Sequence, residues 1–318
     1  MRIGFDLGGT KMLAAVLADD GSVVARNKEK TQGGGNKAVL EQILATTEGV
    51  LEKAGITAGD VSCMGIAVPG PIDAGNGIIL DTPNVGVKDF ALGRELTKRF
   101  GFPTLLENDV NAGLWGEYRA GAAQGYSDVV GVFPGTGIGG GLILDGHLYR
   151  GKRGSAGELG HMVVQTDGRR CGCGGYGCWE TVASKTAIAR DLVMLAMTGQ
   201  SPTLAEKGGT EIRNIKSGVI AKAVDAGEEA VIDVVNRAAH FLGVGLANVV
   251  NIFDPEVIIL GGGLVDKLGK PFVEIADRTM RARAMPRLVE GVEIKAAKLG
   301  DDAVVVGAAD LAEEATAR

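Results

Sequence analysis

Between Gly157 and Glu180 the chain reads GELGHMVVQTDGRRCGCGGYGCWE, twenty-four residues that hold three of the four cysteines, one of the three histidines and two glutamates. His161, Cys171, Cys173 and Cys178 are the donor types, in the number, that close a tetrahedral zinc site through three thiolates and an imidazole. Their spacing, H-x9-C-x-C-x4-C, is tight. Gly172, Gly174, Gly175 and Gly177 let so short a loop turn around an ion. Buried thiols, or one disulfide with a spare cysteine, are the plainer alternatives, and three cysteines so close to a histidine fit zinc better than either. Four protein donors leave no position open for water, so the expected ion is structural. Its effect is placement of His161 and of the charged residues flanking the loop, Glu158 and Glu180.

A second chemistry is written in three glycine-rich loops that follow apolar strands: Asp6–Lys11 (DLGGTK), Gly135–Gly141 (GTGIGGG) and Gly261–Gly263. Gly8 and Gly9 in the first, Gly135, Gly137 and Gly139 in the second, and Gly261, Gly262 and Gly263 in the third let backbone N–H groups converge on phosphate oxygens. Thr10 and Thr136 add hydroxyl donors. One such loop is as well explained by a tight turn; three at strand ends point to a nucleoside triphosphate. Gly135, Gly137 and Gly140 also satisfy G-x-G-x-x-G, but that motif must open a helix, and here a strand follows, which argues against a nicotinamide enzyme. Gly146–Lys152 spells GxxxxGK, yet Arg153 stands where a P-loop needs Ser or Thr. Asp109, in ENDVNA, is a candidate general base at the end of a short strand. Capping of the following helix by Asn108 or Asp109 explains the same residues equally well.

The elements that must position these groups follow from length and pattern. The chain has 318 residues, 45% hydrophobic and 23% charged, with a net charge of −6. That suits a soluble globular protein of about two domains and argues against nucleic acid or an anionic membrane as partner. The fifty-one glycines cluster rather than repeat. The N-terminus enters a strand at once, without the pattern of a secretory signal, and no uncharged apolar run approaches a membrane span. Clustered thiols in such a chain suggest a reducing cytoplasm. Cys63, within an apolar strand, reads as core.

Strands are expected over Arg2–Leu7, Met12–Ala18, Ser22–Lys28, Val61–Val68 and Thr104–Glu107, with helices over Asn36–Gly55, Phe90–Phe100 and Val110–Arg119. At Asp128 the order of strand, glycine loop, strand, Asp-Gly turn and strand starts over: Val129–Phe133, then Leu142–Leu144 after the loop. Helices follow over Ser184–Met197, Ala221–Asp225 and Ala230–Phe253. Strands at Val257–Leu260 and Val292–Ala296 precede a last helix at Val304–Ala315. This weak internal repeat implies two similar α/β halves with a cleft between them. The expected division is 1–118 for a smaller lobe, to which helix 303–318 returns, and 119–302 for a larger lobe with the zinc loop.

Taken together, DLGGTK, VPGPID, ENDVNA, GTGIGGG, GELGH and CGCGGYGCWE resemble the ROK family of bacterial sugar kinases and related repressors, in the same order and over nearly the whole chain. The resemblance implies the actin-like, RNase H-like sugar-kinase (ASKHA) fold, with ATP and sugar between two lobes that close. It implies that Asp109 removes a proton from a sugar hydroxyl. Asp6–Lys11 and Gly135–Gly139 would then handle phosphates and Mg²⁺, with Gly261–Gly263 near the adenosine. Glu158, His161 and Glu180 resemble the family's sugar contacts, with Gly70, Asn84 and Asn108 completing the pocket. His161 would place one ring nitrogen on zinc and turn the other to a sugar hydroxyl. Pro134 departs from the small or aliphatic residue expected ahead of the second loop.

Within that resemblance the expected activity is phosphorylation of a hexose at its 6-hydroxyl by ATP, foremost as a glucokinase. The alternatives are an N-acetylmannosamine or N-acetylglucosamine kinase and a fructokinase, with polyphosphate as a less favoured donor. A sugar-responsive repressor would carry a DNA-binding helix-turn-helix before the sugar domain; the chain starts on the first strand and is acidic, so that reading is disfavoured. The apolar helix around Ala230–Phe253 and the family pattern lead us to expect a homodimer.

Overall fold

Alternating and continuous apolar runs fold into two five-stranded sheets covered by helices, with a small three-stranded sheet beside the first. The computed structural model describes residues 1–317, and they form two units: Met1–Tyr126 with His147–Ala156 and the segment from Ala297 onward, and Ser127–Gly146 with Gly157–Ala296. Segment 147–156 thus groups with the first unit, whereas the sequence reading put it in the second half.

In the first unit, β1 (Arg2–Leu7), β2 (Lys11–Leu17) and β3 (Val23–Lys30) form an antiparallel meander. Helix α1 (Gly35–Ala54) then crosses to β4 (Cys63–Val68), which runs parallel to β1. A small antiparallel sheet of β5 (Ile72–Asp73), β6 (Ile78–Thr82) and β7 (Val87–Phe90) intervenes before α2 (Leu92–Phe100), β8 (Thr104–Asn108) and α3 (Asp109–Ala120). The large sheet has the order β3-β2-β1-β4-β8. Ile3, Phe5, Met64 and Ile66 meet Val39, Ile43 and Val50 of α1 in one fully buried core. The small sheet is missing from the sequence reading, which started a helix at Phe90; its strands are two to five residues long, too short to show a period.

In the second unit, β9 (Val129–Pro134) and β10 (Ile138–Leu144) form an antiparallel hairpin. The two-residue strand β11 (His147–Leu148) belongs to the first unit. Helices α4 (Glu180–Ala183), α5 (Lys185–Met197), α6 (Pro202–Lys207), α7 (Ser217–Asp225) and α8 (Glu229–Phe253) lead to β12 (Val257–Leu260). After α9 (Gly263–Arg283), α10 (Pro286–Val289) and β13 (Glu293–Ala296), the chain ends in α11 (Asp302–Thr316). Strand β12 lies parallel to β9 and β13, so the connection β1-β2 then β4 recurs as β9-β10 then β12. The two hairpins of the expected repeat are present. The third strand after the Asp-Gly turn is eight residues long in β3 and only two in β11, and the parallel strands β4 and β12 extend the repeat beyond what the sequence pattern showed.

Helix α8 is long and apolar enough to cross a membrane by composition alone. Leu242, Leu246 and Val250 are instead fully buried in the second unit's core with Trp179, Ile258, Leu264 and Met280. Helix α9 escaped the sequence reading because Gly269 (φ 65°) kinks it just before Pro271.

The C-terminal helix α11 lies directly on β1, β4 and α3, and the contact is made by backbone. A Cβ at Gly4 would strike the Val305 carbonyl, one at Gly65 that of Ala308, one at Gly116 that of Ala303, and one at Gly307 that of Ala112. We therefore expect Gly307→Ala to destabilise the protein by about 2–3 kcal/mol through overpacking, read as a lower urea midpoint. Gly218→Ala, where a Cβ meets open space in α7, should instead be neutral or stabilise by about 0.5 kcal/mol.

Candidate active site

The first glycine loop is the turn between β1 and β2. Thr31 holds it from β3's end, donating Oγ1–H to the Gly8 carbonyl (2.6 Å) and N–H to the Thr10 carbonyl (3.1 Å). Gly9 packs on Asn84, where an added Cβ would stand 3.3 Å from the asparagine Cβ. Gly70 takes φ 95°, and a Cβ there would lie 2.7 Å from the Asp81 carbonyl, so both backbone and space demand glycine. Lys11 Nζ pairs with Asp301 Oδ1 at 2.7 Å, and Lys28 Nζ lies 3.1 Å from the other oxygen. These two ammonium groups hold the Asp301 carboxyl below its ordinary range.

Asp6, near the end of β1, is the perturbed group of this corner. Burial pushes its carboxyl up to about 6; the charge of Asp109 adds to the shift, Lys11 opposes it and Asp301 adds a little more. Asp6, Lys11 and Asp109 are thus brought together from β1, β2 and α3. The cap of α3 falls to Asn108, whose Oδ1 accepts from Val110 N (2.9 Å) and Asn111 N (3.2 Å). Asp109 is the first helical residue, and its Oδ1 also accepts from Val110 N at 2.9 Å. The two residues differ by a one-residue offset: Asn108 ends the strand and caps, and Asp109 sits half-buried in the first turn.

Two carboxylates that sequence reasoning passed over brace this segment. Glu107 is buried; one oxygen accepts from Asn108 N (3.0 Å) and Asn111 Nδ2 (3.1 Å), the other from Arg150 Nε (2.7 Å). Glu117 is fully buried, and accepts from Lys298 N (2.8 Å), Leu299 N (2.7 Å) and Ala122 N (2.8 Å). It thereby fixes the turn that presents Asp301 to Lys11. A glutamate reads the same in sequence whether solvated or buried, so only the ENDVNA motif around Glu107 hinted at it.

In the second unit the second glycine loop is shorter than expected. Gly135–Gly137 make the turn, closed by Gly135 N to the Gly137 carbonyl at 2.9 Å. Gly139 is in β10, paired with Phe133, and Gly140 and Gly141 pair with Val132 and Gly131. The turn is therefore shorter than the glycine run, and Gly139 lies at the start of β10 just past it. Gly140 serves packing, since a Cβ there would press on the Gly157 carbonyl and Leu159. Thr136 is tied to α5 by Thr186 Oγ1 on its carbonyl (2.7 Å) and Lys185 Nζ on its Oγ1 (3.2 Å). In the third loop Gly261 N bonds the Val132 carbonyl (3.2 Å), Gly262 takes φ 89° and Gly263 opens α9. A Cβ on Gly262 would lie 3.0 Å from the Pro134 carbonyl, so the second and third loops adjoin, with Pro134 paired to Ile138 between them.

The four expected metal donors are brought together. One donor atom each from His161, Cys171, Cys173 and Cys178 all lie within 4.8 Å of one another. Cys173 and Cys178 sulfurs are 3.7 Å apart, and Cys171 Sγ is 3.5 Å from His161 Nδ1. A tetrahedron with Zn–S of about 2.3 Å and Zn–N of about 2.05 Å has edges of roughly 3.8 and 3.6 Å, which these two separations match, so the cluster is compatible with zinc. His161 Nδ1 faces the cluster, 3.8 Å from Glu180 Oε1, while Nε2 lies 3.8 Å from Glu158 Oε2. Cys171 donates its S–H to Glu180 Oε1 at 2.9 Å. Burial, then that hydrogen bond, pushes the Cys171 thiol up to about 12. The loop closes on Trp179, which is fully buried and donates Nε1–H to the Phe241 carbonyl (2.9 Å).

With this geometry in hand, the comparisons with known proteins are specific. The model of the ROK family matches residues 2–315. The glucokinase of Streptomyces coelicolor is 33% identical over 316 residues, covering 99% of this chain and 98% of that protein. A putative xylose repressor of Caldicellulosiruptor is 30% identical, covering 96% of this chain and 76% of the repressor. Among solved structures, a ROK family glucokinase from Streptomyces griseus in complex with glucose and AMPPNP superposes with TM-score 0.82 at 35% identity, covering 98% of this chain and 99% of that one.

Asp6 makes a testable linkage. Its folded pKa, about 6, lies above the ordinary 3.8, so between those values the folded state holds a proton that the unfolded state has lost. Its contribution to stability therefore falls as pH rises through that window and stays lost above it. Asp6→Asn should stabilise the protein above the window by up to about 3 kcal/mol and change little below it, measured by urea unfolding on both sides. An equal effect at both pH values would contradict the burial account.

Proposed function

The chain belongs to the ROK family and has the mixed α/β, actin-like fold of its sugar kinases; from that premise we propose that it transfers the γ-phosphoryl group of ATP to the 6-hydroxyl of a hexose, with glucose as substrate. The observation that carries this reading is the corner where Asp109, one residue past the Asn108 cap, shares a charged neighbourhood with Asp6 and Lys11. A glucose and AMPPNP complex of a relative this similar supports the pairing of ligands.

In this reading Asp109 accepts the proton of the 6-hydroxyl as its oxygen attacks phosphorus. Asn108, with Gly70 and Asn84, orients the sugar in the first unit. In the second unit Glu158, His161 and Glu180 accept from or donate to ring hydroxyls, and a sugar lacking one of these leaves a charge unpaired. Lys11, Thr10 and the N–H groups of Gly8–Thr10 and Gly135–Gly137 meet phosphate oxygens, and Gly261–Gly263 lie near the adenosine. Mg²⁺, bound with ATP, would neutralise charge on the phosphates, and Asp6 is the residue suited to its shell. The donor set of His161, Cys171, Cys173 and Cys178 suits structural zinc, which would be held on the His161 side by Nδ1 and would leave Nε2 free to meet a sugar hydroxyl. Unpaired cysteines agree with a reducing cytoplasm, and a homodimer is the expected assembly.

ADP release coupled to a sugar panel (glucose, fructose, N-acetylglucosamine, N-acetylmannosamine), with ATP or polyphosphate as donor, tests the assignment. Glucose with ATP should give the highest kcat/KM, and Asp109→Asn should lower kcat by about 10³-fold with KM for glucose little changed. No turnover with any sugar would return the chain to the repressors it resembles. Elemental analysis should find one zinc per chain, lost in Cys173→Ser, and chelation should lower the melting temperature; an unchanged melt would remove the structural role.

A further inference from the structure

Away from the glycine loops and the metal donors, the second unit gathers three arginines at its surface. Arg169, Arg190 and Arg237 line a pocket of about 480 Å³ whose other walls are Asp191, Met194 and Val234. Three guanidinium groups against one carboxylate leave two positive charges in excess, in a chain whose net charge is −6. Arg169 Nη2 pairs with Asp191 Oδ1 at 2.6 Å. Arg190 donates from Nη2 to the Thr181 carbonyl at 2.8 Å, but its Nε–H is buried with no acceptor. Arg237, exposed on α8, makes no ion pair or hydrogen bond among the described residues.

Such an arrangement is unfavourable by itself. A buried donor without a partner forfeits its hydration, and burial together with the neighbouring Arg169 charge lowers the Arg190 pKa, against the pull of Asp191. A multivalent oxyanion resolves both deficits at once, because guanidinium forks match its oxygens two at a time. We propose that this pocket binds a phosphate group, free or as a phosphate monoester, on Arg190 and Arg237 with Arg169 as third donor. The volume exceeds what bare phosphate fills, and Met194 and Val234 offer an apolar wall to an organic substituent. Arg190 links the pocket to Thr181, the residue after Glu180, so an occupied site braces the turn behind the metal loop.

Calorimetric titration of the full-length protein, with AMPPNP present to fill nucleotide phosphate positions, tests this with inorganic phosphate and with glycerol 3-phosphate. Wild type should bind phosphate, more weakly as NaCl is added. Arg237→Glu should lose about tenfold or more in affinity while keeping its basal turnover and its melting temperature in phosphate-free buffer. Arg237→Gln should fall between the two. Tighter binding of glycerol 3-phosphate identifies a monoester site, and equal binding identifies free phosphate; both uphold the oxyanion assignment. Identical phosphate titrations of wild type and Arg237→Glu overturn it. So does a change of sedimentation in Arg237→Glu without loss of phosphate, which would make the arginines a contact between copies of the chain.

Discussion

The close approach of α11 to β1, β4 and α3 is the constraint on which the first unit's charged corner depends. Four glycines leave no side chain in that seam, and a carbonyl occupies the place of each missing Cβ. Because the backbones lie so near, the residues before and at the start of α11 reach the sheet edge. Asp301 meets Lys11 and Lys28, and Asp302 takes the fork of Arg26 at 2.8 and 2.6 Å. The same seam carries α3, which brings Asp109 to the end of β1 where Asp6 stands. Three carboxylates from distant parts of the chain share one neighbourhood only because small residues let three elements pack backbone to backbone. A bulkier seam would move α3 and α11 outward together and separate them.

Burial alone does not distinguish the acidic groups of this unit; partners do. Glu107 and Glu117 are buried more deeply than Asp109, yet each is surrounded by donors, two N–H groups and a guanidinium for one and three backbone N–H groups for the other. Such carboxylates are structural anchors, because removing a partner would strand a buried charge. Asp6 differs: the nearby Lys11 is engaged by Asp301, and burial with the Asp109 charge raises its pKa. In the second unit Cys171 has the same character, a group whose ionised form is disfavoured by its own surroundings. Each is a carboxyl or thiol whose surroundings favour the protonated form.

How much of this could be read from the sequence depends on whether the signal was local. The clustering of the four metal-donor types was legible, since they lie within eighteen residues of one another and a tight loop brings them together. The repeated strand order and most strands and helices followed from apolar period. The second glycine loop was overread, because a glycine that widens a turn and one that lets a strand pass under Gly157 and Leu159 look alike in sequence. Asn108 and Asp109 were inseparable for a similar reason: their roles differ by one residue of strand length. Glu107, Glu117 and Asp301 act through partners up to 290 positions away along the chain (Lys11 to Asp301), and no local pattern encodes that. The kink at Gly269 and Pro271 hid α9, and strands of a few residues hid the small sheet.

Glu180 ties the parts of the second unit together. It stands directly after Trp179, whose burial against α8 fixes the chain there; Gly245 leaves room for the indole, since a Cβ would overlap it. From that anchored position one carboxylate oxygen receives the Cys171 thiol and the other lies against Gly137, close enough that no side chain could replace that glycine without displacing it. A metal-donor loop and a glycine turn between two strands, separate in sequence, therefore share one carboxylate as a common wall. Ionisation of Cys171 would remove the proton that Glu180 accepts and set two anions side by side. The carboxylate's orientation then depends on the state of the cluster. The histidine, the glutamate and the glycine turn are thus neighbours, with tryptophan behind them and the Cys171 sulfur at their side.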